Sequence, residues 1–251
     1  DDVKIQNVCL YNPTLGIISD RPGESTGRIT LDGIWGQPLT QGIRIDNALD
    51  VVRINNVHFW PFWAGGKSEK EEKYGTYVAK HMFDSAVGII SNRNDNPFLS
   101  NIFMLGYNRG IHFTVNTNGP THKFHIANAD IDGCHTALYI DGVFPTDPDD
   151  DHDSTSGQIV NFTAQGRSKC CEDEEVKFCS STGIHVEGNR VTVQCSNIRL
   201  QTFGNNCIRV ASPGTRLYFE NLYCADWDRR DRGFPAIEAL RDAKIYIGRA
   251  S

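Results

Sequence analysis

Five residues in the middle of this chain have the types and spacing for acid–base chemistry: His112, Tyr139, Asp141, His185 and Glu187. Each sits in, or just after, a short segment that begins with a small residue and continues apolar-x-apolar. These segments are Gly110-Ile111-His112-Phe113, Ala137-Leu138-Tyr139-Ile140 and Gly183-Ile184-His185-Val186. If the segments stack as neighbouring strands, the period of two turns His112, Tyr139 and His185 to one face, with Asp141 and Glu187 beside them. Two carboxylates on adjacent strands would lie about 5 Å apart at the backbone, near the separation used by a retaining glycosidase. One would act as nucleophile and the other as acid, with a His moving the proton. Lyase chemistry would instead need a His or Tyr base near a cation that stabilises an enolate. Against both stands the ordinary reading of a polar, solvated strand face.

Other chemistry-bearing groups lie apart from these five. The run Asp147-Pro148-Asp149-Asp150-Asp151-His152-Asp153 offers oxygens to Ca²⁺, but it lacks the Gly and the spaced Glu of an EF-hand, so a solvated acidic loop is the competing reading. No other cofactor or metal is indicated. Trp60, Phe62, Trp63 and Tyr77 gather around an insertion rich in Glu and Lys. Exposed aromatics stack on sugars or anchor subunit interfaces, and the contiguity of Trp60-Pro61-Phe62-Trp63 favours an interface. Of the eight cysteines, Cys195 and Cys224 fall at inward positions and Cys207 occupies a small-residue slot. Cys170, Cys171 and Cys179 share one acidic loop, where Cys179 is expected to pair with one of the other two. The partner left over, or the outward-pointing Cys9, is then available to a second subunit. Zinc is the alternative, without C-x₂-C spacing to support it.

What must position these groups is a repeat. Asn followed by alternating residues recurs at Asn7, Asn56, Asn101, Asn128, Asn161, Asn197 and Asn221, and Gly33 fills the remaining place. A short alternating strand precedes most of them. Nine residues later comes the small-residue strand, at Gly42, Gly110 and Ala137, and with insertions at Gly75, Gly183, Cys207 and Ala236. Uninterrupted repeats run 23 to 27 residues. Three short strands per repeat describe an all-β solenoid, a single-stranded parallel β-helix of about eight coils, in which each coil pairs only with its neighbours. At about 4.8 Å per coil the rod would be roughly 40 Å long. Asn suits the bend because it tolerates left-handed backbone and its amide reaches the Asn of the next coil. Residues 1–251 form one β-helix domain in this reading, with loop insertions near 64–73, 144–157 and 166–182. Both ends open directly into strands and the first residue is not Met, so the natural chain is expected to continue on both sides.

Charge and composition narrow the partners. With 25 Lys and Arg against 31 Asp and Glu, the net charge is −6 and no basic stripe exists, which speaks against nucleic acid. No apolar run reaches the 18 or so residues of a membrane span, so membrane insertion is not expected.

With the Asn bend running through nearly its whole length, the chain resembles the pectate-lyase-like right-handed parallel β-helix superfamily. The aromatic run from Asn56 to Trp63 is similar to coils of bacteriophage tailspike and appendage spike proteins. That resemblance implies a homotrimer, exposed on the virion and therefore extracellular, in contact with other virion proteins and with bacterial surface glycan. It implies a spike, tail or collar appendage for host attachment. The alternatives are a tailspike depolymerase, hydrolase or lyase, and a secreted bacterial carbohydrate-active enzyme. The calcium-binding Asp clusters of pectate lyases and the Asn-Thr-Asp and Gly-His-Gly motifs of polygalacturonases are missing, which speaks against those two activities.

Overall fold

The structure, a computed structural model, describes residues 2–21, 23–61, 69–144, 155–167, 180–188 and 190–250, with the side chains of 69–76 and 144 outside that description. In chain order the elements are β1 (Val3–Leu10), β2 (Leu15–Ser19), β3 (Ile29–Gly36), β4 (Gln41–Ile45), β5 (Val52–Phe59), α1 (Glu69–Ser85), β6 (Val87–Ser91), β7 (Phe98–Leu105) and β8 (Arg109–Phe113). They continue as β9 (Thr121–His122), β10 (Phe124–Cys134), β11 (Thr136–Ile140), β12 (Val143–Phe144), β13 (Gly157–Gly166), β14 (Thr182–Val186), β15 (Thr192–Gln201), β16 (Ile208–Val210), β17 (Arg216–Ala225), β18 (Ile237–Ala239) and β19 (Lys244–Ile247). Long and short strands alternate between two parallel sheets. The long-strand sheet runs β1-β3-β5-β7-β10-β13-β15-β17-β19, and the short-strand sheet runs β2-β4-β6-β8-β11-β14-β16-β18 in space. This all-β architecture is compatible with a parallel β-helix.

Side chains that alternation points inward form columns between the sheets. One column of the long-strand sheet reads Leu31, Ile54, Leu99, Ile126, Ile159, Cys195 and Phe219, and each is at most 5% exposed. Burying one such aliphatic side chain stabilises the fold by about 1.5–3 kcal/mol. The mid-strand Asn carries the bend. Asn7, Asn56, Asn101, Asn128, Asn161, Asn197 and Asn221 all have φ between 54° and 58°, and Gly33 has φ 68°. Their amides form a ladder: Asn128 Nδ2 donates to Asn101 Oδ1, Asn161 to Asn128, Asn197 to Asn161 and Asn221 to Asn197, over 2.9–3.3 Å. Gly33 has no side chain to offer, so Asn56 turns to Asp32 Oδ1 at 2.9 Å; Asn101 donates to Asn55 Oδ1, also at 2.9 Å.

The small-residue slot has a packing cause. A Cβ added at Gly110 would stand 2.4 Å from Ile131 Cγ2 and 2.7 Å from the Ala137 carbonyl oxygen, a clash that only glycine escapes.

One expected strand is a helix. Gly75-Thr76-Tyr77-Val78 has the apolar-x-apolar form, yet it lies inside α1. The preceding Glu69-Lys70-Glu71-Glu72-Lys73 favours helix, and Val78, Met82, Phe83 and Ala86 follow helical spacing, each no more than 8% exposed. Lys80 and Asp84 pair at 3.0 Å one turn apart. The strand that fills that repeat is β6, whose Gly88-Ile89-Ile90-Ser91 repeats the Gly16-Ile17-Ile18-Ser19 of β2. In both, Ser19 and Ser91 stand where the repeat elsewhere has an apolar residue, so neither strand has the apolar-x-apolar form.

Candidate functional site

The register of the short-strand sheet brings together the five residues expected to carry chemistry. Tyr139 pairs with His112 on one side and His185 on the other, and His185 with Arg209. The rings lie close, 4.9 Å between His112 and Tyr139 and 5.1 Å between Tyr139 and His185. Tyr77, from the strand form expected at Gly75, belongs instead to α1 and is 56% exposed; Ile90 of β6 stands in register with His112.

Polar contacts within this group engage most of its atoms. His112 Nε2 lies 3.1 Å from Asp141 Oδ1, and Tyr139 donates its hydroxyl to Glu187 Oε2 at 2.8 Å. The other Glu187 oxygen is 3.0 Å from His185 Nε2 and 3.5 Å from Arg209 Nη1, while Arg209 Nε donates to Glu238 at 2.9 Å. Both Glu187 oxygens are therefore held by neighbours. Burial acts against the Asp141 charge, but the His112 hydrogen bond and positive charge more than offset it and hold the carboxyl below its ordinary range. Burial is the largest influence on His185, lowering its pKa and favouring the neutral ring. Burial, reinforced by Glu187, pushes the Tyr139 hydroxyl far up. An ionised Asp141 cannot donate a proton, and Tyr139 does not ionise near neutral pH. The group is built as a rigid charged ladder.

Arg109 completes it and was missed. Its guanidinium lies 4.2 Å over the Tyr139 ring, with Nη1 3.4 Å from His112 Nδ1. It stands three residues before His112, a spacing that alternation assigns to the opposite face.

A second group lies on the outer face of the long-strand sheet, past the Asn bends. Trp35, His58 and Phe103 occupy equivalent positions on β3, β5 and β7. His58 packs edge-on against Phe103 at 4.9 Å, and Trp60 stacks on Phe103 at 6.0 Å. Trp35 and Trp60 remain 39% and 36% exposed, so the strip presents ring surface to solvent. Next in the same column, on β10, comes Asp130, with Asp132 two residues along the same face. Burial first, and the Asp130 charge second, raise the Asp132 carboxyl to about 6. Asp130 is also raised by burial, and its Oδ1 is buried without a hydrogen-bond partner. The pairing with β13 shifts register between Asp132 and Cys134, where Gly133 has φ 57°, so a bulge aims this end of the strand. In the sequence, Asn128-Ala129-Asp130-Ile131-Asp132 carries the signal only in its alternation, the same pattern that marks the repeat. On the same sheet, before the Asn bends, a groove of about 580 Å³ runs along Gln158, Gln194 and Tyr218.

The remaining expected groups divide by position. Phe62, Trp63, Cys170, Cys171, Cys179 and the acidic run 147–153 lie outside the described residues. Cys9 is exposed and unbonded. Among the described residues, no three His, Cys, Asp or Glu side chains converge as metal ligands. No helix there is long and apolar enough to cross a membrane. No family model and no curated protein matches the chain.

Proposed function

We propose that the chain is a section of a right-handed, single-stranded parallel β-helix of about eight coils. It belongs to the trimeric spike, tail or collar appendage of a tailed bacteriophage, where it attaches the virion to bacterial surface glycan. One observation carries the glycan reading: the strip of exposed Trp35, His58 and Trp60 around half-buried Phe103 continues directly into the carboxyls Asp130 and Asp132. Ring faces stack on the apolar faces of sugars, and carboxyl oxygens accept from their hydroxyls. Two parallel sheets supply a stiff support, so little ordering cost is incurred when a long polymer settles on it. The ladder of Arg109, His112, Tyr139, Asp141, His185, Glu187 and Arg209 has a structural part in this reading.

A second reading, a depolymerase, is favoured by the Asp132 carboxyl alone. A group raised to about 6 is the protonated acid that glycoside hydrolysis requires, and the ionised Asp141 is not. In that reading Asp132 protonates the leaving oxygen.

Incubation with surface polysaccharide purified from candidate host bacteria separates the two. Saturable binding without new reducing ends supports the attachment spike. New reducing ends that vanish in Asp132→Asn support the depolymerase. Absorbance growing near 235 nm would indicate a lyase and would count against both assignments of Asp132. No binding to any host glycan would overturn the glycan reading.

A further inference from the structure

Across the Asn bends from the aromatic strip, the first halves of the long strands carry another outward column. Phe98 of β7, His125 of β10, Gln158 of β13, Gln194 of β15 and Tyr218 of β17 are successive register partners. The Phe98 and His125 rings stack at 4.4 Å with 6° between their planes, and burial lowers the His125 pKa, which favours the neutral ring. Tyr218 stacks on Tyr246 of β19 at 4.7 Å, also at 6°. Both distances match the strand spacing of about 4.8 Å, so these rings stand one above another along the stack of strands. The outer faces of His125 and Tyr218 therefore look toward each other across Gln158 and Gln194, whose amides hydrogen-bond at 3.4 Å. The groove of about 580 Å³ follows the two amides and Tyr218, with the hydroxyls of Thr155 and Ser196 in its wall. A cavity of about 230 Å³, which shares Thr155 and Gln158 with it, extends to His125. The strands beneath, β10, β13, β15 and β17, are each paired on both sides.

We propose that this groove is a second, separate glycan site, which holds a short uncharged stretch of polysaccharide between the rings of His125 and Tyr218. Three strand spacings separate those residues, about 14 Å, which is room for about three sugars laid along the stack. The volume is that of an ordinary small-ligand site. A ring at either end meets the C–H face of a sugar, and the amides between them donate and accept as sugar hydroxyls do. The charge pattern excludes an acidic polymer. Among the described residues lining the larger groove, Glu220 alone is charged, so a uronate or phosphate there would meet a like charge and no cation. Lys123 beside the smaller cavity is a single cation, where a nucleic acid strand needs a row of them. The backbone of the floor is committed to the sheet, so an extended peptide finds no edge to pair with. The groove shares no residue with Trp35, His58, Phe103 or Trp60, and its role does not rest on theirs.

The test titrates neutral trisaccharides calorimetrically into the full chain: cellotriose, maltotriose, mannotriose, chitotriose and neutral trisaccharide fragments of bacterial surface polysaccharide, with trigalacturonate as the charged comparison. Saturable binding of at least one neutral trisaccharide, and none of trigalacturonate, is the expected result. Gln194→Ala should weaken that binding about tenfold, and Ser196→Trp, which fills the groove, should abolish it. Gln194 is exposed, so the alanine variant keeps its fold and decides the question even where the tryptophan variant folds poorly. Trp60→Ala should leave the titration unchanged. No binding of any neutral trisaccharide, equal binding of trigalacturonate, or binding undiminished in Gln194→Ala would each overturn the proposal. Binding lost in Trp60→Ala but intact in both groove variants would overturn it while leaving the aromatic strip its role. Host polysaccharide that binds Trp60→Ala and Trp35→Ala as it binds the wild type, but fails on the groove variants, would remove the strip and keep the groove.

Discussion

Replacing Asp132 by Asn should make the protein more stable at neutral pH and leave it unchanged in acid. The unfolded carboxyl titrates near 3.8 and the folded one at about 6, a difference of roughly 2 units. Folding therefore takes up a proton between those values. Below about pH 4 both states are protonated and nothing is lost; above about pH 6 the folded state holds a charge it disfavours. Taken in full, the difference would amount to about 3 kcal/mol. The side chain is partly open to water, which screens it, and about 1–1.5 kcal/mol is the expected penalty. Asn keeps the shape of the carboxyl without the charge that burial and Asp130 disfavour. In a chain of this length the gain corresponds to a melting temperature higher by about 2–6 °C. Differential scanning calorimetry of both proteins at pH 7.5 and pH 4.0 measures it. An equal shift at both pH values, or a loss at pH 7.5, would refute the reasoning, because a proton-linked penalty must disappear once the carboxyl is protonated.

Asn161→Ala should cost about 2–4 kcal/mol, since it loses two rungs of the amide ladder and puts Ala, which lacks the tolerance of Asn for left-handed backbone, at φ 54°. Asn161→Gly should recover the backbone part alone, and urea denaturation of the two variants separates the contributions. Asp141→Ala should cost about 1–2 kcal/mol at pH 7 by removing the acceptor of the buried His112. Its folded pKa lies below 3.8, so this stability is present above that value and is lost as pH falls through the folded pKa; the gap between variant and wild type in denaturation curves should be present at pH 7 and shrink at pH 3. Gly110→Ala should cost about 1–3 kcal/mol by thermal melting, from contact with Ile131 and the Ala137 carbonyl.

Much of this architecture is written locally, and so the repeat could be read. The Asn that must take a left-handed bend and the glycine that must face a neighbouring backbone are each dictated by the residues around them. Register then follows from the repeat, which is how His112, Tyr139 and His185 could be set side by side. The misreading at Gly75–Val78 has the opposite origin. Four residues with strand alternation also fit one turn of a helix, and the deciding contacts, Met82 and Ala86 packed into the core, lie further along the chain. Arg109 escaped because a long side chain can cross to the face that alternation denies it. Asp130 and Asp132 escaped for a different reason. Their chemistry comes from partial burial and a bulge beside them, which no residue type announces.

Isothermal titration of authentic host oligosaccharide against the wild type and Trp60→Ala tests the glycan-attachment surface most directly. Saturable binding, weakened on the order of tenfold by loss of one stacking ring, is the predicted result. Binding that is unchanged in Trp60→Ala and also in Trp35→Ala would contradict it, because the exposed strip would then have no part in holding the sugar.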